Sequence, residues 1–277
     1  LLEVRTTSGN IFKNLLDTLK AVLNDANIIF SPAGLKLAAV DSKNNAFVHL
    51  VMEAEKFAFF HCKPSQLVLG IDINVLQKTI KTNKANDLLC FVVRKDDPSH
   101  LEITFHNIQK GERITGKIAL LTLKESIIKD EIRMNLGLKI SSQSFQNICR
   151  EMVSFKATKI QIESTAKELV FSNKLDGSNS PNGFTTRHVV ISIDNNGEND
   201  HSNIEYQAAK GVFDLKFLKS FAKAANLSPD VIIYLTNYSP IICEYSISGL
   251  GTLRYLLSRE EGYDDYDDDE YEEDDGE

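Results

Sequence analysis

The sequence predicts an α+β protein built from two similar domains, each with two short helices packed against antiparallel sheets. Two helical segments recur in register in the second half of the chain, and a repeat of this kind outweighs any local motif in assigning architecture. Between them, many short segments alternate between apolar and polar residues, while helices are few. The 277 residues are enough for two domains of about 120–130 residues each.

The repeat is clearest in the predicted helices. Residues 71–81 align with residues 213–223, and residues 8–15 align with residues 141–148. At about 100° per residue, each segment has one apolar face. The side chains expected to face the core are Phe12, Leu15, Leu16, Leu19 and Leu23 in the first helix, Ile73, Leu76 and Ile80 in the second, Phe145, Ile148, Cys149 and Met152 in the third, and Leu215, Leu218, Phe221, Ala222 and Ala225 in the fourth.

Segments of period two predict half-buried strands between these helices. They are residues 35–37, 101–105, 159–162, 169–171, 189–193 and 243–247. Residues 88–93 form a continuous apolar run, which predicts a more central strand. Glycine-, asparagine- and aspartate-rich stretches separate the strands, as expected for turns.

The net charge of −8 is concentrated at one end of the chain. Residues 260–277, which we call the acidic tail, contain 13 acidic residues and no basic ones. Without them the chain has 31 basic and 26 acidic residues (39 minus 13), or a net charge of +5. Tyrosine is the only large apolar residue type in the acidic tail, so the sequence predicts a solvated, disordered segment.

The faces of the predicted helices that point away from the core are basic. Eight residues, here called the basic set, lie on these faces: Lys13, Lys20, Lys78, Lys81, Arg150, Lys216, Lys219 and Lys223. Asp17 and Glu151 are the main acidic exceptions. One exposed lysine pair is compatible with a plain solvated surface, but four helices that agree in sign indicate a polyanionic partner contacted through its phosphates.

Nothing in the sequence indicates catalysis, a cofactor or a metal. It has no P-loop, Gly-x-Ser-x-Gly, His-Glu-x-x-His or Rossmann glycine fingerprint. The six histidines lack metal-ligand spacing, and the adjacent His61 and Cys62 would point to opposite faces of a strand. The four cysteines are scattered singly, which predicts reduced thiols in or near the core. We also expect no membrane span and no signal peptide at Leu1.

These residues resemble the proliferating cell nuclear antigen (PCNA) family of DNA sliding clamps over residues 2–259. The stretches that carry the resemblance are residues 9–13, 19–20 and 41–42, Phe57 with Cys62, Phe145 with residues 148–150, Pro240 with Glu244 and Tyr245, and residues 251–257. The resemblance implies two domains of the DNA clamp fold per chain. It also implies a closed homotrimeric ring in which the helices line a central hole, with sheets at the outer rim.

For DNA, the resemblance implies a non-enzymatic polymerase processivity factor that holds duplex DNA topologically, without base readout. The basic set occupies the family's channel positions. Asn14 and Asn147 depart from the family, in which a basic residue is frequent at both positions, so a slightly weaker hold on DNA is expected. Weak, shifting phosphate contacts are what sliding requires. The acidic tail would either be a solubilising segment, compete with DNA for the basic set, or recruit a basic partner.

The resemblance also implies a pocket that binds replication and repair enzymes through short peptides with apolar and aromatic anchors. Expected partners are DNA polymerase, the clamp loader, a flap nuclease and a ligase. The implied pocket residues are Val40, Asn44, Ile127, Pro240, Leu256 and Leu257, with Ser258 offering backbone contacts. Ordinary core packing is the alternative interpretation of Ile127 and Leu257. The sequence departs from the family at Asn44, Lys129 and Arg259, so the peptide preference stays open.

The resemblance divides the chain into an N-terminal clamp domain (1–119), a connector (120–134), a C-terminal clamp domain (135–259) and the acidic tail. Ring closure would pair edge strands near residues 109–117 and 178–188. Two alternatives stay open: a subunit of a heterotrimeric checkpoint clamp, and a monomeric viral processivity factor. The expected location is the nucleus, or the viral replication site if a virus encodes the chain.

Overall fold

The computed structural model describes residues 1–82, 87–107, 109–124, 137–165, 168–174, 188–192, 208–237 and 239–260. Its strands are β1 (Leu2–Thr6), β2 (Asp25–Ser31), β3 (Gly34–Val40), β4 (Ala46–Glu53), β5 (Phe59–Cys62), β6 (Leu67–Asp72), β7 (Leu88–Val93), β8 (His100–Asn107), β9 (Glu112–Ala119), β10 (Leu138–Ser141), β11 (Lys159–Ser164), β12 (Glu168–Lys174), β13 (His188–Ser192), β14 (Ala209–Asp214), β15 (Asp230–Tyr234), β16 (Ile241–Ile247) and β17 (Gly251–Leu257). Its helices are α1 (Gly9–Leu19), α2 (Ile73–Ile80), α3 (Ser142–Ser154) and α4 (Leu215–Phe221), and 3₁₀ turns cover Ala54–Lys56 and Ala222–Asn226.

The strands form three antiparallel sheets, which confirms the predicted α+β class. One sheet has the order β5-β1-β7-β8-β9, and another has the order β13-β12-β11-β14. The third has eight strands in the order β10-β15-β16-β17-β4-β3-β2-β6 and crosses from one half of the chain to the other, because β17 pairs with β4 along its whole length. The apolar run at residues 88–93 is β7, the middle strand of its sheet, as predicted.

The four helices lie side by side in one layer on the sheets. α1 packs against α2, α3 packs against α4, and α1 also packs against the 3₁₀ turn that follows α4. Side-chain hydrogen bonds join segments of this layer: Asn14 Nδ2 donates to Asn226 O at 3.2 Å, and Gln146 Nε2 donates to Ala222 O at 2.9 Å. Helices from both halves therefore present one continuous surface.

An aspartate at the same position of the repeat starts the second helix in each half. The carboxylate of Asp72 accepts from Val75 N at 2.9 Å, and that of Asp214 accepts from Lys216 N at 2.7 Å. Each satisfies a backbone donor that a helix leaves unpaired in its first turn. The repeat seen in the sequence thus includes the signal that fixes where α2 and α4 begin.

The core lies between the helix layer and the sheets, and the predicted apolar faces are buried with one exception. α4 ends at Phe221 and the chain continues as a 3₁₀ turn, so Ala224 is buried while Ala225 is only half-buried. A 3₁₀ turn has about three residues per turn, which moves the inward position by one residue. Phe221 stacks on Tyr255 of β17 with ring centroids 4.5 Å apart, which joins the helix layer to the eight-stranded sheet.

Candidate nucleic-acid interface

The basic set lies on the face of the helix layer that points away from the sheets. All of its members are exposed except Lys13, which is half-buried. Within the described residues, none of Lys78, Lys81, Arg150, Lys216, Lys219 and Lys223 forms a salt bridge with a carboxylate. The sequence therefore placed these side chains on the correct faces, and the fold brings all four helices into one surface.

Several lysines of this surface lie at the C-terminal ends of helices, where a positive charge is favourable. Lys20 and Lys81 are the residues immediately after α1 and α2, and Lys78 and Lys219 lie in the last turns of α2 and α4. Cations near a helix C-terminus interact favourably with the partial negative charge there, by about 0.3–1 kcal/mol each. These lysines therefore stabilise their helices slightly while their side chains stay exposed.

Gln77, which the sequence reasoning missed, connects two basic helices. Its side chain is 7% exposed; its Nε2 donates to Asp17 Oδ1 at 2.6 Å, and its Oε1 accepts from Lys20 Nζ at 3.5 Å. The amide thereby holds Lys20 near Asp17, the acidic exception on α1. No sequence signal would have identified it, because the contact joins residues 60 positions apart.

The two asparagines at expected basic positions have structural partners instead. Asn14 makes the bond to Asn226 that joins the helices of the two halves, and Asn147 Oδ1 accepts from Gln143 Nε2 at 2.9 Å. The loss of charge at position 14 thus accompanies a contact within the helix layer. What the surface offers a ligand is a set of long side chains that end in ammonium and guanidinium groups, which suit contacts with phosphates.

A second candidate surface lies on the opposite face of the eight-stranded sheet. Val40, Phe47 and Leu256, here called the outer row, are cross-strand neighbours on β3, β4 and β17. Val40 is 39% exposed, and the other two are half-buried. Because Tyr255 faces the helices, its neighbour Leu256 points to the outside of the sheet. Phe47 was not among the predicted pocket residues, although it lies between two of them.

The turn beside the outer row is held rigidly by one carboxylate. Asp41 accepts hydrogen bonds from the backbone N–H groups of Lys43, Asn45 and Ala46, at 3.0, 2.7 and 2.8 Å. Asn44 has φ of 59°, a left-handed conformation that asparagine tolerates better than most residues. The turn therefore defines the backbone conformation of the exposed Asn44, four residues after Val40.

The structure changes the predicted pocket at two positions, Leu257 and Ser258. The expectation for Leu257 is wrong: its side chain is 1% exposed, because alternation along β17 directs it into the core with Leu253 and Tyr255. Ser258 is exposed, but its N–H already donates to Asn45 O at 3.0 Å. Pro240 is exposed immediately before β16, whereas Ile127 lies outside the described residues.

Polar groups flank the outer row on the neighbouring positions of the sheet. Arg254 Nε donates to Glu244 Oε2 at 2.5 Å, so this guanidinium is already paired. His49 is partly stacked on Phe47, with ring centroids 6.3 Å apart. Burial, followed by the positive charges of Arg254 and Lys36, lowers the pKa of His49, so its ring is neutral at pH 7. The outer row therefore has mainly neutral surroundings.

The outer strands β9 and β13 each carry an exposed aliphatic side chain. β9 is the last strand of the five-stranded sheet, and its Ile114 is 56% exposed. β13 is the last described strand of the four-stranded sheet, and its Val190 is 53% exposed. β13 covers His188–Ser192, so it includes His188 of the edge predicted at residues 178–188, while residues 178–187 lie outside the described residues. Strand edges of this kind are templates for pairing with another chain.

The described residues contain no arrangement that indicates catalysis. They include no group of three or more His, Cys, Asp or Glu side chains that could hold a metal ion. His61 is exposed and Cys62 is buried, so the adjacent pair points to opposite faces of β5. The cysteines are free thiols, and burial raises the pKa of Cys149 to about 12, which makes it a poor nucleophile. No helix among the described residues is long and apolar enough to cross a bilayer.

Comparison with known proteins identifies similar chains along nearly the whole length. The sequence profile described as "Proliferating cell nuclear antigen, N-terminal domain" matches residues 1–127, and that of the C-terminal domain matches residues 129–260. A "Probable DNA polymerase sliding clamp 1" of Paramecium bursaria Chlorella virus 1 is 27% identical over 259 residues, covering 93% of this chain and 96% of that protein. The proliferating cell nuclear antigen of Chaetomium thermophilum is 26% identical, with coverage of 96% and 100%, and that of Dictyostelium discoideum is 27% identical, with coverage of 93% and 98%.

Solved structures share this fold. The crystal structure of the proliferating cell nuclear antigen from Entamoeba histolytica superposes with a TM-score of 0.79 at 21% identity. The superposition covers 94% of this chain and 98% of that one.

Proposed function

The chain belongs to the proliferating cell nuclear antigen family of DNA sliding clamps, and we propose that three copies of it close into a ring around duplex DNA. As a sliding clamp it is a polymerase processivity factor and not an enzyme. The observation that carries the proposal is the single helix layer with the basic set on its open face. Three copies would supply 24 cations (three times eight), enough to hold DNA through weak contacts while permitting it to slide.

The two edge strands support the ring. β9 and β13 belong to different sheets, so pairing β9 of one copy with β13 of the next is a head-to-tail contact, which closes into a ring when the rotation allows. Ile114 and Val190 would become covered at this contact. Light scattering of the purified chain should give about 93 kDa, three times 31.0 kDa. A mass of one chain at micromolar concentration would instead favour a monomeric factor or a heterotrimeric checkpoint clamp.

We infer the division of the chain from the ends of its strands and sheets. β9 ends at Ala119 and β10 begins at Leu138, which supports clamp domains at 1–119 and 135–259 with a connector at 120–134. The start of this connector runs along β6: Leu121 N donates to Gly70 O at 2.8 Å, and Asn27 Nδ2 donates to Lys124 O at 3.2 Å. A Cβ on Gly70 would lie 2.2 Å from Leu121 O, so only glycine permits this approach.

The outer row is the proposed docking site for replication and repair enzymes. DNA polymerase, the clamp loader, a flap nuclease and a ligase are the proposed partners, each bound through a short peptide with apolar and aromatic anchors. The half-exposed side chains of the outer row, the fixed turn at residues 41–45 and the neutral His49 support an apolar peptide contact.

Similarity to both a viral clamp and eukaryotic clamps supports a nuclear location or a viral replication site.

The neighbours Leu256 and Leu257 permit a matched test of this docking site. Leu256→Ala should weaken binding of a fluorescent peptide with one aliphatic and two aromatic anchors by about tenfold, with little change in the free energy of unfolding. Leu257→Ala removes a core side chain, so we expect about 2–5 kcal/mol of destabilisation. Fluorescence anisotropy measures the affinity for the peptide and urea unfolding measures the stability, so together they distinguish the effects of the two substitutions. Unchanged peptide affinity in Leu256→Ala would place the docking site elsewhere.

A further inference from the structure

The acidic tail leaves the folded chain at a well-defined place. Glu260 is its first residue and the only one described; the backbone N of Glu260 donates to Val212 O at 2.9 Å. Its carboxylate Oε2 lies 3.1 Å from Lys159 Nζ on the adjacent strand β11. Val212 belongs to β14, the strand that leads directly into α4. The acidic tail therefore starts beside β14, which leads into α4 with Lys216 and Lys219 and then into the 3₁₀ turn with Lys223.

Length does not limit what the rest of the acidic tail can reach. Four residues separate Val212 from Lys216, a distance of at most about 14 Å even for a fully extended chain. The 17 residues from 261 to 277 can span up to about 60 Å. α4 itself is about 10 Å long, at 1.5 Å per residue. The acidic tail can thus cover the whole of α4 and still extend over the neighbouring helices.

Charge indicates which surface the acidic tail would cover. Residues 261–277 contain 12 acidic residues (13 minus Glu260) and no basic ones. Lys216 and Lys219 are exposed three residues apart on α4, the spacing that places side chains on one face of a helix, and the exposed Lys223 follows in the 3₁₀ turn that continues α4. The outer face of the eight-stranded sheet has the exposed Lys36 on β3, but Arg254 there is paired with Glu244 and His49 is neutral, so it offers less positive charge than the three lysines at and after α4.

We propose that the acidic tail binds in cis to the basic face of α4 and competes with DNA for it. This proposal rests on the proposed function, because it concerns the same cations. Attachment at Glu260 gives the acidic tail an effective concentration on the order of millimolar at α4. Such weak binding suppresses non-specific association with DNA, yet the more highly charged duplex displaces the acidic tail once it occupies the ring.

A peptide experiment tests the contact itself. The host is the full chain in which the 12 acidic residues of 261–277 are replaced by Asn and Gln, and the probe is a fluorescein-labelled peptide of residues 260–277. At about 50 mM salt we expect the probe to bind, and the variant K216Q/K219Q/K223Q to lower its affinity about tenfold or more. The control K36Q/K43Q/K63Q removes the same charge from exposed lysines outside the helix layer and should change the affinity less than about twofold.

Equal losses in the two triple variants, or no binding at about 1 mM probe, would overturn the proposal. The same host also separates this proposal from the one on which it rests. It should bind linear duplex DNA about tenfold more tightly than the natural chain at low salt, with the difference vanishing near 0.5 M salt. If K216Q/K219Q/K223Q weakens DNA binding but the host does not bind the probe, only the proposed contact of the acidic tail is wrong. If K216Q/K219Q/K223Q leaves DNA binding unchanged, the proposed channel itself is wrong.

Discussion

Substituting Lys20, Lys78 and Lys216 together by glutamate should weaken association with duplex DNA by about a hundredfold or more at 100 mM salt. The three lysines are exposed on three helices of one layer, and in a trimer nine charges would be reversed (three times three). Fewer phosphate contacts release fewer counterions, so the logarithm of affinity should also fall less steeply with the logarithm of salt concentration. Stimulation of a DNA polymerase on long templates should be lost with the binding.

The matched control for this variant is the triple substitution of Lys36, Lys43 and Lys63 by glutamate. It changes the net charge equally at exposed positions outside the helix layer, so affinity for DNA should fall only a few-fold. Light scattering should give the same mass for both variants and the natural chain, because none of the six lysines lies on β9 or β13. Equal loss of DNA binding in the two variants would mean that the helix layer is not the DNA surface.

Ile114→Asp should convert the assembly from three chains to one. Ile114 is mostly exposed in the single chain, so the substitution should cost little folding stability. At the proposed contact with β13 of the next copy, it would bury an unpaired carboxylate, at a cost of several kcal/mol per contact. Light scattering at micromolar concentration should then give about 31.0 kDa. Urea unfolding would show whether the monomer keeps its fold.

Val68→Asp provides the corresponding control. Val68 is also an exposed aliphatic residue on an outer strand, β6, but residues 120–124 already run along that strand. Its substitution should leave the mass at about 93 kDa, three times 31.0 kDa. A trimeric Ile114→Asp variant would show that β9 does not form the ring contact.

The helices could be predicted well because their signals are local. Period-3.6 spacing identified the faces that are buried in α1, α2 and α3, and the repeated Asp72 and Asp214 mark the starts of α2 and α4. The basic set follows from the same spacing. By contrast, the bond from Asn14 to Asn226 and the contacts of Gln77 depend on how separate helices pack, which no local pattern encodes.

The individual strands could be predicted from the sequence, but the order in which they pair in the sheets could not. β17 pairs with β4 and so joins the two halves of the chain in one sheet. The internal sequence repeat does not indicate this long-range pairing. The inclusion of Leu257 beside Leu256 in the predicted pocket is different, since a local signal against it was present in the sequence. Thr252 and Arg254 mark the outward positions of β17, and their period of two assigns Leu256 to the surface and Leu257 to the core.

The most direct test of a ring around DNA asks whether the protein stays bound to a linear duplex. The result should depend on whether the DNA ends are blocked before or after the protein is added. A linear duplex with a biotin at each end is mixed with the chain either before or after streptavidin is added, and both samples are washed in about 0.5 M salt. Such salt removes phosphate contacts but not a topological link. We expect the chain to remain on DNA only when the ends are blocked after mixing. Equal retention in both orders, or loss in both, would contradict encirclement.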